Sequence, residues 1–133
     1  MALAPRVSVI TPSYNQAVFL EETLLSVIGQ DYPRMEYLVV DGGSTDGSVE
    51  IIKRHEKDIA WWVSEKDKGQ AEAINKGLSR ASGEIVAWIN SDDYYLPGAV
   101  SAAARVFASN PDVVLVYGDM LAVDENGQTT NHM

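Results

Sequence analysis

Cysteine is absent from the sequence, and histidine occurs only at positions 55 and 132. Without thiols the chain can form no disulfide, no thiolate zinc site and no cysteine nucleophile. The two histidines are far apart in the sequence and do not form a metal-ligand spacing. A chain without cysteine fits a reducing compartment, and we expect a cytoplasmic protein.

Long apolar runs and clusters of basic residues are also missing. No stretch approaches the roughly 20 apolar residues of a membrane-spanning helix, and residues 1–6 are too short for a signal peptide. Acidic residues outnumber basic ones by 19 to 10, which gives a formal net charge of -9. Such a surface repels nucleic-acid phosphates. If the protein binds a phosphorylated ligand, positive charge has to come from elsewhere, and a divalent metal ion is the usual source.

Short apolar runs recur along the chain at intervals typical of strands. The 133 residues, of which 46% are hydrophobic, are enough for one domain with a core. Runs of buried-strand type occupy residues 7–10, 37–40, 59–63, 85–89 and 113–116. We expect Pro12 to end the first of these strands. The three tryptophans lie in these runs and are interpreted as core residues; they are Trp61, Trp62 and Trp88.

Four amphipathic segments separate these strands. The first covers residues 17–30, and the second is expected to have Asp46 as its N-cap. Pro97 is expected in the first turn of the last helix, which ends at Asn110 and Pro111. The apolar helix positions are Leu20, Leu24 and Ile28; Val49 and Ile52; Ile74, Gly77, Leu78 and Ala81; and Val100, Ala103, Ala104 and Phe107. Alternating strands and helices predict an α/β fold with a mostly parallel, Rossmann-like sheet covered by helices on both faces.

The last part of the sequence predicts a hairpin. Residues 120–123 are strand-like, Asn126 and Gly127 form a hairpin turn signal, and a returning strand starts at Thr129. Because the chain stops at Met133, soon after that strand begins, we interpret it as a piece of a longer protein. A frayed natural terminus is the alternative.

Polar, glycine-containing segments follow the first four predicted strands, at residues 11–15, 41–46, 65–70 and 90–93. Ligands of open parallel sheets bind beyond the carboxyl ends of the strands, so we expect these segments to form one site. Loops are polar in any protein. The general polarity of loops does not by itself account for an aspartate directly at the end of the second strand, Asp41, or for a carboxylate pair after the fourth strand, Asp92 and Asp93.

The Asp92-Asp93 pair predicts a bound cation. Adjacent carboxylates repel each other unless a cation or a proton lies between them. Hard oxygen ligands favour Mg2+ or Mn2+, which take further oxygens from a substrate diphosphate. In an extended backbone the two side chains diverge, so we expect only one to contact the metal directly. An N-cap for the helix at Pro97 explains the pair equally well.

Tyr14 and Asp41 have chemistry that suits a nucleotide base. The ring of Tyr14 offers a flat face for stacking, and Asp41 can accept a hydrogen bond from a ring N–H, which would discriminate among bases. The alternative for Tyr14 is that its ring packs against the protein. The alternative for Asp41 is that it is a turn residue before Gly42 and Gly43.

Five motifs in register along about residues 6 to 120 resemble glycosyltransferase family 2, a group of inverting enzymes with the GT-A fold. They are VSVITPSYN at residues 7–15, VVDGGSTDG at 39–47, DKGQ at 67–70, AINKG at 73–77, and GEIV at 83–86 leading to NSDD at 90–93 and Pro97-Gly98. The resemblance implies that Thr11, Pro12 and Tyr14 line the base, with Tyr14 stacking on it. It implies that Asp41 binds the base edge, typically that of uracil.

The same resemblance assigns the phosphate side of the site. Gln70 and its neighbours would approach the ribose or diphosphate, and Ser91 and Asp92 would contact the nucleotide sugar. Asp92 falls on the metal-binding aspartate of the family's DxD motif, and with Asp93 it forms the predicted Mn2+ or Mg2+ site. The first position of that motif is Asn90, where many members have aspartate.

The family's reaction is a single in-line displacement. An acceptor hydroxyl attacks the anomeric carbon of a nucleotide sugar with inversion, a metal stabilises the departing diphosphate, and a carboxylate acts as general base. In the family that base and most of the acceptor site lie further along the chain. The resemblance therefore implies that residues 1–133 are the part that binds the nucleotide sugar, here a UDP-sugar. The acceptor site and the general base are expected beyond Met133, and the fragment alone is expected to be inactive.

Other classes match the sequence less well. A dinucleotide-binding oxidoreductase needs Gly-x-Gly-x-x-Gly after the first strand, where Pro12 and Tyr14 stand. A receiver-type signalling domain, which is not an enzyme, gathers acids at that same point. A sugar-nucleotide pyrophosphorylase, which shares the overall fold, needs a glycine-rich basic loop there. The last two are kept as alternatives.

Overall fold

A computed structural model describes residues 4–132, with side chains as far as residue 130. Four parallel strands form its main sheet in the order β3-β2-β1-β4: β1 (Val7–Ser13), β2 (Met35–Asp41), β3 (Trp61–Ser64) and β4 (Ile85–Trp88). The helices are α1 (Ala17–Ile28), α2 (Ser48–Arg54), α3 (Gln70–Arg80) and α4 (Ala99–Ser109), with a 3-10 turn at Glu56–Asp58. Strands β5 (Leu121–Val123) and β6 (Thr129–His132) form an antiparallel hairpin. The predicted α/β class, parallel sheet and hairpin are confirmed.

Helices cover both faces of this sheet, as predicted. Successive side chains of a strand point to opposite faces. On one face, Val9 of β1 belongs to a buried cluster with Leu24 of α1 and Val100 of α4. On the other face, α3 lies across β1 and β2. It lies so close that a Cβ added at Gly77 would be 2.6 Å from Cγ2 of Ile10.

Pro12 does not end the first strand, contrary to the prediction. Strand β1 continues to Ser13 and pairs with β2 along its whole length, with Ser13 opposite Asp41. Strand β4 pairs with β1 only as far as Ile10. Beyond that point β1 has a neighbouring strand on one side only, and a proline without an N–H is tolerated at such an edge.

The fifth strand predicted at residues 113–116 is not present. This segment has no regular structure, and Val114 and Leu115 are 92% and 74% exposed. A strand is held by its ladder of backbone hydrogen bonds, and the outer edge of β4 carries no neighbouring strand among residues 4–132. The apolar run therefore predicted a strand in a segment that forms no ladder with the open edge of β4 in the described chain.

The interpretation of all three tryptophans as core residues was wrong for Trp88. Its side chain is 59% exposed, because it lies opposite Ile10 on the face that α3 covers, while α3 lies over β1 and β2. Trp62 is partly buried against the core. Trp61 is partly buried but lies outside the core cluster, and the guanidinium of Arg80 lies 4.6 Å from its ring centre.

Helix α1 begins at Ala17, as predicted, but the predicted starts of α2 and α4 were wrong by one or two residues. The N-cap of α2 is Gly47 (φ 99°), and the N-cap of α4 is Gly98 (φ 83°), so Pro97 precedes the helix instead of lying in its first turn. The buried residues of α3 are Ala73 and Gly77, because only small side chains fit where this helix approaches the sheet. The prediction had placed Leu78 on that face, and it is 45% exposed. No helix within residues 4–132 is both long and apolar enough to cross a membrane.

Candidate functional site

A cavity of about 560 Å³ lies at the carboxyl end of the sheet. It is bounded by the segments that follow β1, β2, β3 and β4 and by the first turn of α3. Its lining residues are Pro12, Ser13, Tyr14, Gln16, Gly42, Lys66, Asp67, Lys68, Gly69, Gln70, Ala73, Asn90, Ser91 and Asp92. The parallel topology thus brings together four segments that are far apart in the sequence.

Five of the residues that the sequence proposed for nucleotide-sugar binding line this cavity: Pro12, Tyr14, Gln70, Ser91 and Asp92. Tyr14 is 61% exposed, so the ring is accessible. Asp92 is exposed, whereas Ser91 beside it is buried. The structure therefore groups the proposed base-stacking residue and the proposed metal-binding residue around one space.

Thr11 and Asp41 do not line the cavity. Both are completely buried. The hydroxyl of Thr11 shares a hydrogen bond of 2.6 Å with that of Tyr37. Asp41 accepts hydrogen bonds from the backbone N–H of Gly43 (3.0 Å) and Ser44 (2.8 Å).

Two hydroxyls complete the surroundings of the Asp41 carboxylate. The hydroxyl of Ser44 donates to Oδ1 at 2.6 Å, and that of Ser64 donates to Oδ2 at 2.8 Å. Asp41 therefore organises the loop after β2 in this state of the molecule. Because this carboxylate is completely buried and already engaged by four donors, binding of the base by Asp41 stays a proposal.

The loop that carries Tyr14 is fixed to the loop after β2. Asn15 adopts a left-handed conformation (φ 50°), which asparagine tolerates better than most residues. Its backbone N–H donates to the hydroxyl of Ser44 at 2.8 Å, and its Oδ1 accepts from the N–H of Thr45 at 2.9 Å. These bonds hold the backbone beside Tyr14 in place before any ligand binds.

Asp46 connects the starts of two helices. Its Oδ1 accepts from the backbone N–H and the hydroxyl of Ser48, the first residue of α2, and its Oδ2 accepts from the N–H of Ala17, the first residue of α1. The Ser48 hydroxyl and the Ala17 N–H hold the pKa of Asp46 below its usual value. Asp46 is thus not the N-cap residue of α2 that was predicted, although its carboxylate does bind the beginning of that helix.

Asn90 and Gln70 join two walls of the cavity. Nε2 of Gln70 donates to Oδ1 of Asn90, which links the first turn of α3 to the segment after β4. The side-chain oxygen of Asn90 is therefore already used by a protein donor.

The two adjacent carboxylates share one space, but only Asp92 also faces the main cavity. Both line a smaller groove of about 200 Å³ beside Glu22 and Asp124, and Asp93 does not line the main cavity. Burial and the negative charge of Asp92 raise the pKa of Asp93. Neither carboxylate caps α4, whose N-cap Gly98 has no side-chain hydrogen bond, so the helix-cap alternative is wrong.

The donor groups at Asp92 fit a divalent cation that takes most of its ligands from elsewhere. Within the part of the chain that the structure describes, no three acidic or histidine side chains lie close enough to bind a metal. Mg2+ and Mn2+ are commonly held by one or two carboxylates together with waters and substrate phosphates. Asp92, exposed at the cavity, is suited to such a site, and a direct role for Asp93 stays a proposal.

Sequence reasoning missed several lining residues, among them Ser13, Lys66, Asp67 and Lys68. Ser13 is the last residue of β1, and the other three follow β3. The strand-end rule had therefore located all four, although only the neighbours of Gln70 were given a role, near the ribose or diphosphate. The hydroxyl of Ser13 is buried and has no hydrogen-bond partner among the described residues. Lys66 and Lys68 bring positive charge to a site for which only a metal had been expected to supply it.

Comparison with known proteins identifies the family. Residues 8–132 match the sequence profile described as Glycosyl transferase family 2. The chain belongs to glycosyl transferase family 2. It is 46% identical over 92 residues to TuaG of Bacillus subtilis, a glycosyltransferase provisionally named for teichuronic acid biosynthesis, and this alignment covers 67% of the chain and 36% of TuaG. The resemblance on which the sequence predictions depend is thus confirmed.

Solved structures of glycosyltransferases share this fold. Mannosyltransferase PcManGT from Pyrobaculum calidifontis, solved with GDP-Man and Mn2+, is 37% identical with a TM-score of 0.73, over 80% of this chain and 33% of that one. Residues 1-349 of TarS from S. aureus, solved with UDP-GlcNAc, are 30% identical with a TM-score of 0.73, over 80% of this chain and 32% of that one. The family 2 chain described here therefore spans about a third of the length of these relatives.

Proposed function

We propose that the cavity at the carboxyl end of the sheet binds the nucleotide-sugar donor of a glycosyl transfer reaction. The observation that carries the proposal is the convergence of Tyr14, Gln70, Ser91 and Asp92 on one space of about 560 Å³. Family membership supports it, as do the nucleotide sugars bound to TarS and PcManGT. Membership of glycosyl transferase family 2 also argues against the two alternatives, a pyrophosphorylase-like nucleotidyltransferase and a receiver-like domain.

In this proposal the two ends of the donor occupy different walls. The base stacks on Tyr14 beside Pro12. Asp41, which is buried in the structure, accepts from the ring N–H of the base after a movement of the loop that carries Ser44, and this bond favours uracil. The diphosphate lies towards Gln70, Ser91 and Asp92. A Mn2+ or Mg2+ ion, when bound at Asp92, would neutralise negative charge that develops on the diphosphate.

The proposed reaction is an inverting displacement. The oxygen of an acceptor hydroxyl forms a bond to the anomeric carbon while the bond from that carbon to the diphosphate oxygen breaks. The hydroxyl proton goes to a general base, and the nucleoside diphosphate departs. We place that base and the acceptor site outside residues 1–133, and so expect this chain to bind a nucleotide sugar without transferring the sugar at an enzymatic rate.

Nucleotide titration of the Tyr14→Ala variant tests the site. Stacking of a base on an aromatic ring contributes about 1–3 kcal/mol, so we expect UDP affinity to fall roughly tenfold or more. Tyr117→Ala is the matched control, because Tyr117 is 89% exposed and does not line the cavity. The proposal fails if the parent binds neither UDP nor GDP in calorimetry with Mn2+, or if both variants lose affinity equally.

A further inference from the structure

Two lysines stand on the wall of the cavity that follows β3. Lys66 and Lys68 both line the space and are both exposed. They balance the charges of Asp67 and Asp92, the two carboxylates of the lining, in a chain whose formal net charge is -9. The cavity is therefore much less acidic than the rest of the molecule.

The backbone fixes the positions of both lysines. A Cβ added at Gly43 (φ 87°) would lie 3.4 Å from the Cα and N of Lys66, so Lys66 packs directly on the loop after β2. The N–H of Lys68 donates to Oε2 of Glu72 at 2.9 Å. The backbone of each lysine is thus held in place, and only the rotamers of its side chain have to become ordered when a ligand binds.

The acidic groups near these lysines are engaged by other donors. Lys76 forms ion pairs with Glu65 at 3.0 Å and Glu72 at 3.8 Å. Oδ1 of Asp67 accepts from the N–H of Gly69 at 3.0 Å. Among residues 4–132, no carboxylate lies within ion-pair distance of the ammonium group of Lys66 or Lys68. Their charges are therefore available to a ligand.

The wall that follows β4, opposite the lysines, carries less negative charge than it would if the DxD motif had aspartate at both of its metal-binding positions. Asn90 is neutral, and its oxygen accepts from Gln70. Asp93 does not line the main cavity. One carboxylate, Asp92, remains on the wall that follows β4. A diphosphate in the cavity would therefore meet Asp92 on that side, and two ammonium groups and the carboxylate of Asp67 on the other.

We propose that Lys66 and Lys68 bind the diphosphate of the donor and supply part of the positive charge that a metal ion would otherwise provide. An ammonium group offers three donors and acts as a compact point charge towards phosphate. The proposal rests on the proposed function of the cavity. Its consequence is that a nucleoside diphosphate keeps measurable affinity when divalent metal is removed.

Calorimetry in EDTA with a Lys66→Gln, Lys68→Gln variant tests this inference. We expect UDP affinity to fall about tenfold for each lysine removed, since hydrogen bonds to charged groups have effects of this order. Uridine, which lacks phosphate, should bind the parent and the variant alike. Lys53→Gln, Lys57→Gln is the matched control, because it removes the same charge from two exposed lysines outside the cavity.

The possible results separate this inference from the proposed function. The inference is overturned if the parent binds UDP only with metal, if both double variants lose the same affinity, or if uridine affinity falls as much as UDP affinity. GDP and guanosine serve as a second pair of probes if the cavity prefers guanine. If the parent binds no nucleoside diphosphate in any condition, the proposed function itself fails.

Discussion

At the amino end of the sheet, the polar groups of neighbouring strands satisfy one another. Glu36 of β2 accepts hydrogen bonds from the hydroxyl of Ser8 at 2.6 Å, the backbone N–H of Ser82, and Nη2 of Arg6 at 3.2 Å. The N–H of Gly83 donates to the same Ser8 hydroxyl at 2.8 Å. Ser8 is completely buried and Glu36 is 8% exposed, so this network is closed to ligands.

At the carboxyl end of the same strands, polar groups remain open. The hydroxyl of Ser13 has no partner among the described residues, Asp92 is exposed, and Lys66 and Lys68 form no ion pair within residues 4–132. The two ends share strands and register, yet at the amino end the polar groups bond to one another, whereas at the carboxyl end the Ser13 hydroxyl and three exposed charged groups lie open beside the hydrogen-bonded Asp41. The comparison distinguishes polar groups that stabilise the fold from polar groups proposed to bind the donor. Each of these two roles can be tested separately.

The largest effect is expected at the closed end. Glu36→Ala leaves the Ser8 hydroxyl and the Ser82 N–H without their acceptor, and loss of such a buried charged network should cost about 3 kcal/mol in the free energy of unfolding. Urea denaturation measures it. Because Glu36 is remote from the cavity, UDP affinity of the folded fraction should not change.

Glu84→Ala is the control for this prediction, since Glu84 is exposed and lies close in sequence to Ser82 and Gly83. It should change the stability by less than about 0.5 kcal/mol. If Glu36→Ala instead weakened UDP binding and left stability unchanged, the assignment of the two ends would be reversed.

The next effect belongs to the open end and concerns the metal. Near a protein surface two unit charges 4 Å apart interact by about 4 kcal/mol before solvation costs. If solvation offsets about half of this, Mn2+ should strengthen UDP binding about 30-fold. Asp92→Asn should remove most of this enhancement. Asp93→Asn should remove less, because Asp93 does not line the main cavity.

Titration of UDP in Mn2+ and in EDTA, for the parent and both variants, gives the comparison. Melting temperatures show whether either variant also changes the fold. Equal affinities of the parent in the two conditions would exclude the metal site at Asp92 and leave the lysines as the main partners of the diphosphate.

The sequence predicted which segments meet at the carboxyl end of the sheet better than it predicted the hydrogen bonds that their side chains make. The strand-end rule placed Tyr14, Gln70 and Asp92 around one site because parallel strands must bring their carboxyl ends to the same edge. Whether a side chain is already engaged depends on loop geometry, which no local pattern contains. The turn role of Asp41 was one of the two interpretations of the sequence, but the hydroxyl bonds from Ser44 and Ser64 could not be foreseen.

Errors in the fold have a similar origin. An apolar run shows that a segment can enter a sheet, but the pattern does not specify a neighbouring strand, so the strand predicted at residues 113–116 is missing. Likewise, Leu78 fits the helical period, yet the close approach of α3 at Gly77 allows only small residues on the buried side. Tertiary contacts decided both cases.

A smaller effect should decide whether Asp41 forms a hydrogen bond with the base. Uracil carries a hydrogen on ring nitrogen N3 and cytosine does not. If Asp41 accepts from that hydrogen, the parent should prefer UDP over CDP, and Asp41→Asn should reduce this preference about tenfold. The ratio of the two affinities cancels any general effect of the variant on the loop. An unchanged ratio would limit Asp41 to organising the loop after β2.

The smallest expected effect is a pH dependence at the closed end. Burial acts to raise the pKa of Glu36, but the hydrogen bonds from Ser8 and Ser82, together with the charge of Arg6, hold it below its ordinary value of 4.5. A carboxyl whose pKa is lower in the folded than in the unfolded chain stabilises the fold above the unfolded pKa. That stabilisation is lost as pH falls through the folded value. The free energy of unfolding should therefore decline below about pH 4.5, and Glu36→Gln should make this decline shallower. Other carboxylates such as Asp46 titrate in the same range, so the decisive quantity is the difference between the parent and Glu36→Gln, measured by urea denaturation from pH 7 to pH 3. If the two curves stay parallel over that range, the network at the amino end does not depend on the charge of Glu36, and its stability comes from hydrogen-bond geometry alone.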